Sequence, residues 1–270
     1  MSRWKRTLTV LAIMVIGGAT YLWFFGPQTF FAFQTRKIGR EIPIVKSVPT
    51  ELRDLSVSYA PTQKLSFMGI EFEVPWGDVD HSKSRTVGTW ALIVFPSGRS
   101  ILLCVNEPKV FMTGMFRDKI GTPELFTRLY GPEVLNSDYA LRKAIFQTTP
   151  SDITLLTPSG RAAGLSSVLV IKAIMPPTTD WAIYNIRTTG MRGFQLGDPI
   201  RRPKKMSLEL EGDDVEIEIN IDQFASGPTP AITQSEINRI IQSVHTIKNA
   251  QPILTVNPQK EILSKLNPNS

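Results

Sequence analysis

The chain has 270 residues, 42% of them hydrophobic, one cysteine, and a formal net charge of +6 from 30 Lys and Arg against 24 Asp and Glu. That supplies apolar material for a domain of ordinary size without metal or disulfide support, and Cys104, being alone, excludes an intramolecular disulfide. The basic excess is mild, shrinks once Arg3, Lys5 and Arg6 are set apart, and comes with no dense patch or nucleic-acid motif, so nucleic acid is not expected as a partner.

Behind Arg3, Lys5 and Arg6 lies an uncharged run from Thr7 to Phe25 (TLTVLAIMVIGGATYLWFF). Its length suits a helix crossing a hydrocarbon core of about 30 Å. A cleaved signal peptide usually has an apolar core of about 7–15 residues before a small-x-small site. Gly17-x-Ala19 fits such a site, but cutting there would leave TYLWFFGPQTFFAF as a new N-terminus, an apolar stub poorly suited to water. The expectation is a retained anchor with Tyr21 and Trp23 in the interfacial belt. Basic residues stay on the cytoplasmic side, so the N-terminus lies inside and the remainder is periplasmic or otherwise extracytoplasmic. The expected layout is residues 1–6 in the cytoplasm, 7–25 in the lipid bilayer of the cytoplasmic (inner) membrane, 26–50 as a tether, 51–249 as one extracytoplasmic domain and 250–270 as a loosely held tail.

The folded part opens with a strand in FMGIEFEV, where Met68, Ile70, Phe72 and Val74 alternate with Gly69, Glu71 and Glu73. Pro75-Trp76-Gly77-Asp78 ends it, and a polar loop runs from Asp78 to Arg85. WALIVF and ILLCV flank Pro96-Ser97-Gly98-Arg99 and predict a hairpin whose apolar arms are covered on both faces. Thr122-Pro123-Glu124 starts a helix that Gly131-Pro132 stops. A second helix begins near Asn136-Ser137-Asp138, and a third opens at Thr157-Pro158 and runs to Pro176-Pro177, apolar almost all round and hence expected to be sandwiched.

Strands return in AIYNIRT, GFQLG, KKMSLELE and VEIEINID. In the last two, Met206, Leu208, Leu210, Val215, Ile217, Ile219 and Ile221 mark an apolar face opposite an anionic one. Arg187, Arg192, Arg201, Arg202, Lys204 and Lys205 precede the acidic series Glu209 to Glu218, which predicts opposite charges paired across strands, with a binding patch as the alternative. Thr233-Gln234-Ser235-Glu236 is a capping box opening a last helix, with Ile237, Ile240, Ile241 and Val244 on one face and His245 late on it.

Strands, helices, strands and a helix indicate an α+β domain on an antiparallel sheet flanked by helices. This order, the early strand ending in Glu73-Val74-Pro75-Trp76 and the closing helix ITQSEINRIIQSVHTI resemble the PsbP-like fold, named for an extrinsic subunit of photosystem oxygen-evolving complexes. The resemblance spans about residues 52–248, and the long three-helix middle departs from the simpler pattern. It implies a PsbP-like sandwich, in a family whose bacterial members are mostly lipoproteins or anchored domains without an assigned role, and it transfers no functional residue.

Chemistry is limited by having only two histidines, His81 and His245. His81 stands in DVDHSKS beside Asp78 and Asp80, which reads either as a base oriented by a carboxylate or as a solvated loop; no Gly-x-Ser-x-Gly accompanies it. No HExxH, paired Cys, calcium-loop or phosphate-loop spacing occurs, so no catalytic residue, metal or cofactor is assigned. Trp76 and Trp181 begin polar loops, where exposed aromatics serve as recognition anchors. The candidate partner-binding residues are therefore Trp76, Asp78, Asp80, His81, Trp181, Arg201 and Arg202. The reading that follows is a single-pass, non-catalytic extracytoplasmic domain that binds an envelope protein or helps assemble an envelope complex. The alternatives are an envelope hydrolase centred on Asp78, Asp80 and His81, and a small-molecule or lipid binder with a pocket between the third helix and the sheet.

Overall fold

The computed structural model describes residues 13–21, 26, 30, 33, 37, 47–77, 79–154, 157–175, 181–199, 205–223 and 231–247. In chain order the strands are β1 (Thr50–Glu51), β2 (Gln63–Phe67), β3 (Ile70–Val74), β4 (Arg85–Val87), β5 (Trp90–Val94) and β6 (Arg99–Asn106). The helices α1 (Val110–Arg117), α2 (Pro123–Tyr130), α3 (Asp138–Gln147) and α4 (Ser159–Ile174) follow. The chain then makes β7 (Ile183–Thr188), β8 (Met191–Leu196), β9 (Lys205–Glu211), β10 (Glu216–Gln223), α5 (Gln234–Ser243) and β11 (His245–Thr246). The fold is α+β. By its contacts the chain divides into two compact units. One unit holds residues 1–48, 115–136 and 141–180, the other 49–114, 137–140 and 181–270.

The second unit carries both sheets. Eight strands stand in the order β1-β7-β8-β9-β10-β6-β5-β4, and three in the order β11-β3-β2. All pairings are antiparallel except that of β1 with β7. Alternation along β9 and β10 aims Met206, Leu208, Leu210, Ile217, Ile219 and Ile221 at one core, which they share with Ile70, Phe72 and Val74 of β3 and with Ile237, Ile240 and Ile241 of α5. Burying each such side chain contributes about 1.5–3 kcal/mol. The capping box forms as the sequence predicts: Glu236 N donates to Thr233 Oγ1 at 3.3 Å and Thr233 N to Glu236 Oε2 at 2.7 Å. Gln195 lies on the same buried face and is matched by Gln234 of α5, each amide donating to the other at 2.8 Å. Asn238, also buried, donates to the carbonyls of Asp54 and Ser56 and so ties the incoming chain to the helix.

Several expectations are corrected. FMGIEFEV is not one strand: Met68 and Gly69, at φ 48° and 79°, form the two-residue turn between β2 and β3, and Met68 is exposed. The hairpin of β5 and β6 forms, but Leu92, Val94, Leu102 and Cys104 on its second face are half-buried. Cys104 faces Glu218 across the ladder, and burial followed by that carboxylate's charge pushes its thiol up, keeping it protonated. Across β9 and β10 the register opposes Glu209 to Glu218 and Glu211 to Glu216. Opposite charges face each other at Arg192 with Glu211 and Lys205 with Asp222. The acidic faces of this hairpin thus meet each other, because its own turn sets the register. His245 lies past the helix end, in β11, with Nε2 3.2 Å from Glu71.

In the first unit, Thr122 caps α2 by accepting from Leu125 N at 3.2 Å, and Phe126 packs against Phe116 and Tyr130. Gly164 of α4 lies close under Leu125 and Leu129, where a Cβ would come within 3.2 Å of both. Helix α4 is not apolar-covered all round, since Val170 and Ile174 are exposed. Residues 13–21 are helical, with Ile13, Met14, Val15 and Ile16 exposed. Among the described residues no helix is long and apolar enough to cross a membrane; residues 7–12 and 22–25 of the expected anchor, most of the 26–50 tether and the 250–270 tail lie outside them.

Candidate functional site

A cavity of about 250 Å³ opens in the second unit between the outer strand of each sheet. One wall is β2. The period of two points Gln63, Leu65 and Phe67 inward and Lys64 and Ser66 outward, with the turn at Met68 holding the register. The other wall is the hairpin of β4 and β5, whose turn at Gly88 pairs Val87 with Trp90. Leu65, Phe67, Phe72, Val79, Ile93 and Leu103 make an apolar floor.

The loop between the walls is fastened to β5. Asp80 N donates to Val94 O at 2.7 Å, Ser84 Oγ donates to Asp80 O at 2.8 Å, and Val94 N donates to Ser84 Oγ at 3.0 Å. This stitching presents His81, which is exposed and lines the cavity. Asp80 itself accepts from Ser82 N at 3.1 Å and Ser82 Oγ at 2.6 Å and pairs with Lys83 Nζ at 3.1 Å. The hydrogen bonds from Ser82, then that from Lys83, hold its carboxyl below the usual value. It is a turn former.

Charge at the mouth is chiefly positive. Lys64 is matched by Glu71, which also meets His245. Arg85 is exposed and lies 5.8 Å from the Trp90 ring centroid. Gln63 Oε1 is buried and receives no hydrogen bond among the described residues.

Of the residues singled out from the sequence, His81 lines the cavity and Asp80 shapes its loop. Trp76 is not an exposed anchor: it is 7% exposed, with its ring edge-on to Phe95 at 5.4 Å and the Arg99 guanidinium 5.1 Å from its centroid. Trp181 is half-buried and away from the cavity lining. Asp78, Arg201 and Arg202 lie outside the described residues. No residue lining this cavity comes from α4. Sequence reasoning missed Gln63, Lys64, Ser66, Arg85 and Thr86; the polar alternation in QKLSF, with a lysine as edge strands carry, was the available signal. Among the described residues no group of three or more His, Cys, Asp or Glu side chains is placed to hold a metal.

Compared with protein-family models, curated proteins and solved structures, the chain matches none.

Proposed function

We infer that this protein is a non-catalytic binding module, held at the outer face of a cytoplasmic membrane by residues 7–25, and that it engages its partner in an envelope assembly at the cavity between β2 and β4. The observation carrying this reading is the cavity itself: an apolar floor with a cationic mouth, built on strands and a stitched loop instead of a mobile tip. The anchor rests on the uncharged run behind Arg3, Lys5 and Arg6 and on the exposed apolar residues Ile13 to Ile16. The PsbP-like reading of the fold draws support from the antiparallel sheet and the capped closing helix. The hydrolase alternative needs Asp78 or Asp80 to orient His81; Asp80 is engaged by Ser82 and Lys83, and Asp78 lies outside the described residues.

The test is fluorescence of 1-anilinonaphthalene-8-sulfonate, an apolar anion, with the full chain in lipid nanodiscs. Saturable enhancement that Thr86→Trp suppresses at the exposed rim supports the site; enhancement indifferent to that substitution counts against it. Alkaline carbonate washing tests the anchor, since the full chain should stay with membranes and a chain starting at Pro49 should not.

A further inference from the structure

The two walls of the cavity are strand edges, and this identifies the kind of occupant. Gln63 through Phe67 all line it, although consecutive side chains of a strand point to opposite faces. What consecutive residues share is their main-chain edge. Ser84, Arg85 and Thr86 line the opposite wall in the same way. β2 is the outermost strand of the three-stranded sheet and β4 of the eight-stranded one. The two-residue turn makes Phe67 and Ile70 a hydrogen-bonded pair, and alternation along the ladder does the same for Leu65 with Phe72 and Gln63 with Val74. The N–H and C=O groups of Lys64 and Ser66 therefore face away from β3, along an edge that no other strand pairs with among the described residues.

Size and charge narrow the choice. At about 250 Å³ the cavity is smaller than pockets that enclose a drug-sized ligand, typically about 300–1,000 Å³, so it suits a side chain better than a whole amphiphile. Arg85 and His81 have no ion-pair partner among the described residues, whereas Lys64 is matched by Glu71. The buried Gln63 Oε1 adds an acceptor awaiting a donor.

Resting on the reading of this cavity as the binding site, we propose that its occupant is an extended acidic segment of a partner protein that adds a strand to this edge of β2. Its backbone pairs with Lys64 and Ser66, one apolar side chain enters the cavity, and its carboxylates face Arg85 and His81.

The experiment measures fluorescence anisotropy of a labelled hexapeptide, Val-Asp-Leu-Asp-Val-Asp, against the full chain in nanodiscs. Saturable binding is expected, weakened at least tenfold by N-methylation of alternate peptide amides and by Lys in place of Asp. Ser66→Pro should weaken it similarly, since it removes an outward N–H but no bond to β3. Arg85→Glu should weaken it at least fivefold. An N-methylated peptide that binds as tightly as its parent, or a parent peptide that does not bind, overturns the proposal. If dodecanoate saturates the cavity while the peptide does not bind, a small amphiphile is the occupant and the site stands; if neither they nor the dye binds, the site falls as well. Peptide binding seen only after removal of residues 250–270 would name the chain's own C-terminal segment and overturn the assignment to a partner.

Discussion

Trp76 Nε1 donates a hydrogen bond to Glu236 Oε1 at 3.0 Å, joining the end of β3 to the first turn of α5 across 160 residues of chain. The same carboxylate closes the capping box through Oε2 and lies 3.6 Å from the buried Arg99. One side chain therefore fastens the helix start, the indole and the guanidinium. Glu236→Ala should destabilise the protein by about 2–4 kcal/mol and Trp76→Phe, which keeps most of the packing, by about 1 kcal/mol. Urea denaturation of each variant checks this, and a Glu236→Ala loss no larger than that of Trp76→Phe would contradict it.

Lys172 predicts an alkaline dependence of stability. Its ammonium is fully buried and donates to the carbonyls of Phe146 and Thr148. Burial lowers it to about 8 from 10.5, against a smaller pull upward from Asp152. Between those values the unfolded chain holds a proton that the folded chain has released, so this group makes stability rise with pH by on the order of 2–3 kcal/mol. Tyr130, bonded to Thr148, acts in the opposite sense: burial pushes it up to about 12 from 10.0, and stability is lost as pH climbs through that interval. The stability gap between wild type and Lys172→Met, followed from pH 7.5 to 10.5, isolates the lysine. A flat gap would show that its proton is not linked to folding.

Gly193 of β8 is held against the backbone of β9. A Cβ there would stand 1.8 Å from Glu209 O and 2.9 Å from Leu210 Cα, atoms that cannot move without opening the ladder. Gly193→Ala should destabilise by about 3–5 kcal/mol. Gly190→Ala, at φ +80° with nothing within 4 Å, should cost only about 1–2 kcal/mol of backbone strain. Equal losses for the two in thermal melts would refute the steric account.

Met68 is an exposed side chain in a left-handed turn position followed by Gly69. Met68→Asn creates the Asn-Gly pair that this turn geometry prefers and should stabilise by about 0.5–1 kcal/mol, read as a rise in the urea midpoint. Any loss of stability there would mean that Met68 makes a contact outweighing its backbone strain.

How much of this was legible can be judged from particular elements. The starts of α2 and α5 were readable because Thr122 and Thr233 accept from residues three positions on. Helix α1 was missed for the opposite reason. Its cap is Asp138, which accepts from Phe111 N at 2.6 Å and Met112 N at 3.0 Å from more than twenty residues downstream. The cavity was illegible because β2 and β4 are edges only by virtue of where distant strands stop pairing, and no window of sequence contains that fact.

The sequence by itself determined the α+β class, the apolar faces of β9 and β10, the turn between β5 and β6 and the capping box of α5, because each depends on residues within a few positions of one another. Only the tertiary structure decided that Trp76 is buried, that Asp80 serves Ser82 and not His81, and that two strand edges enclose a cavity. Those outcomes depend on contacts such as β6 with β10, formed between residues more than a hundred positions apart, where packing and not local propensity sets the arrangement.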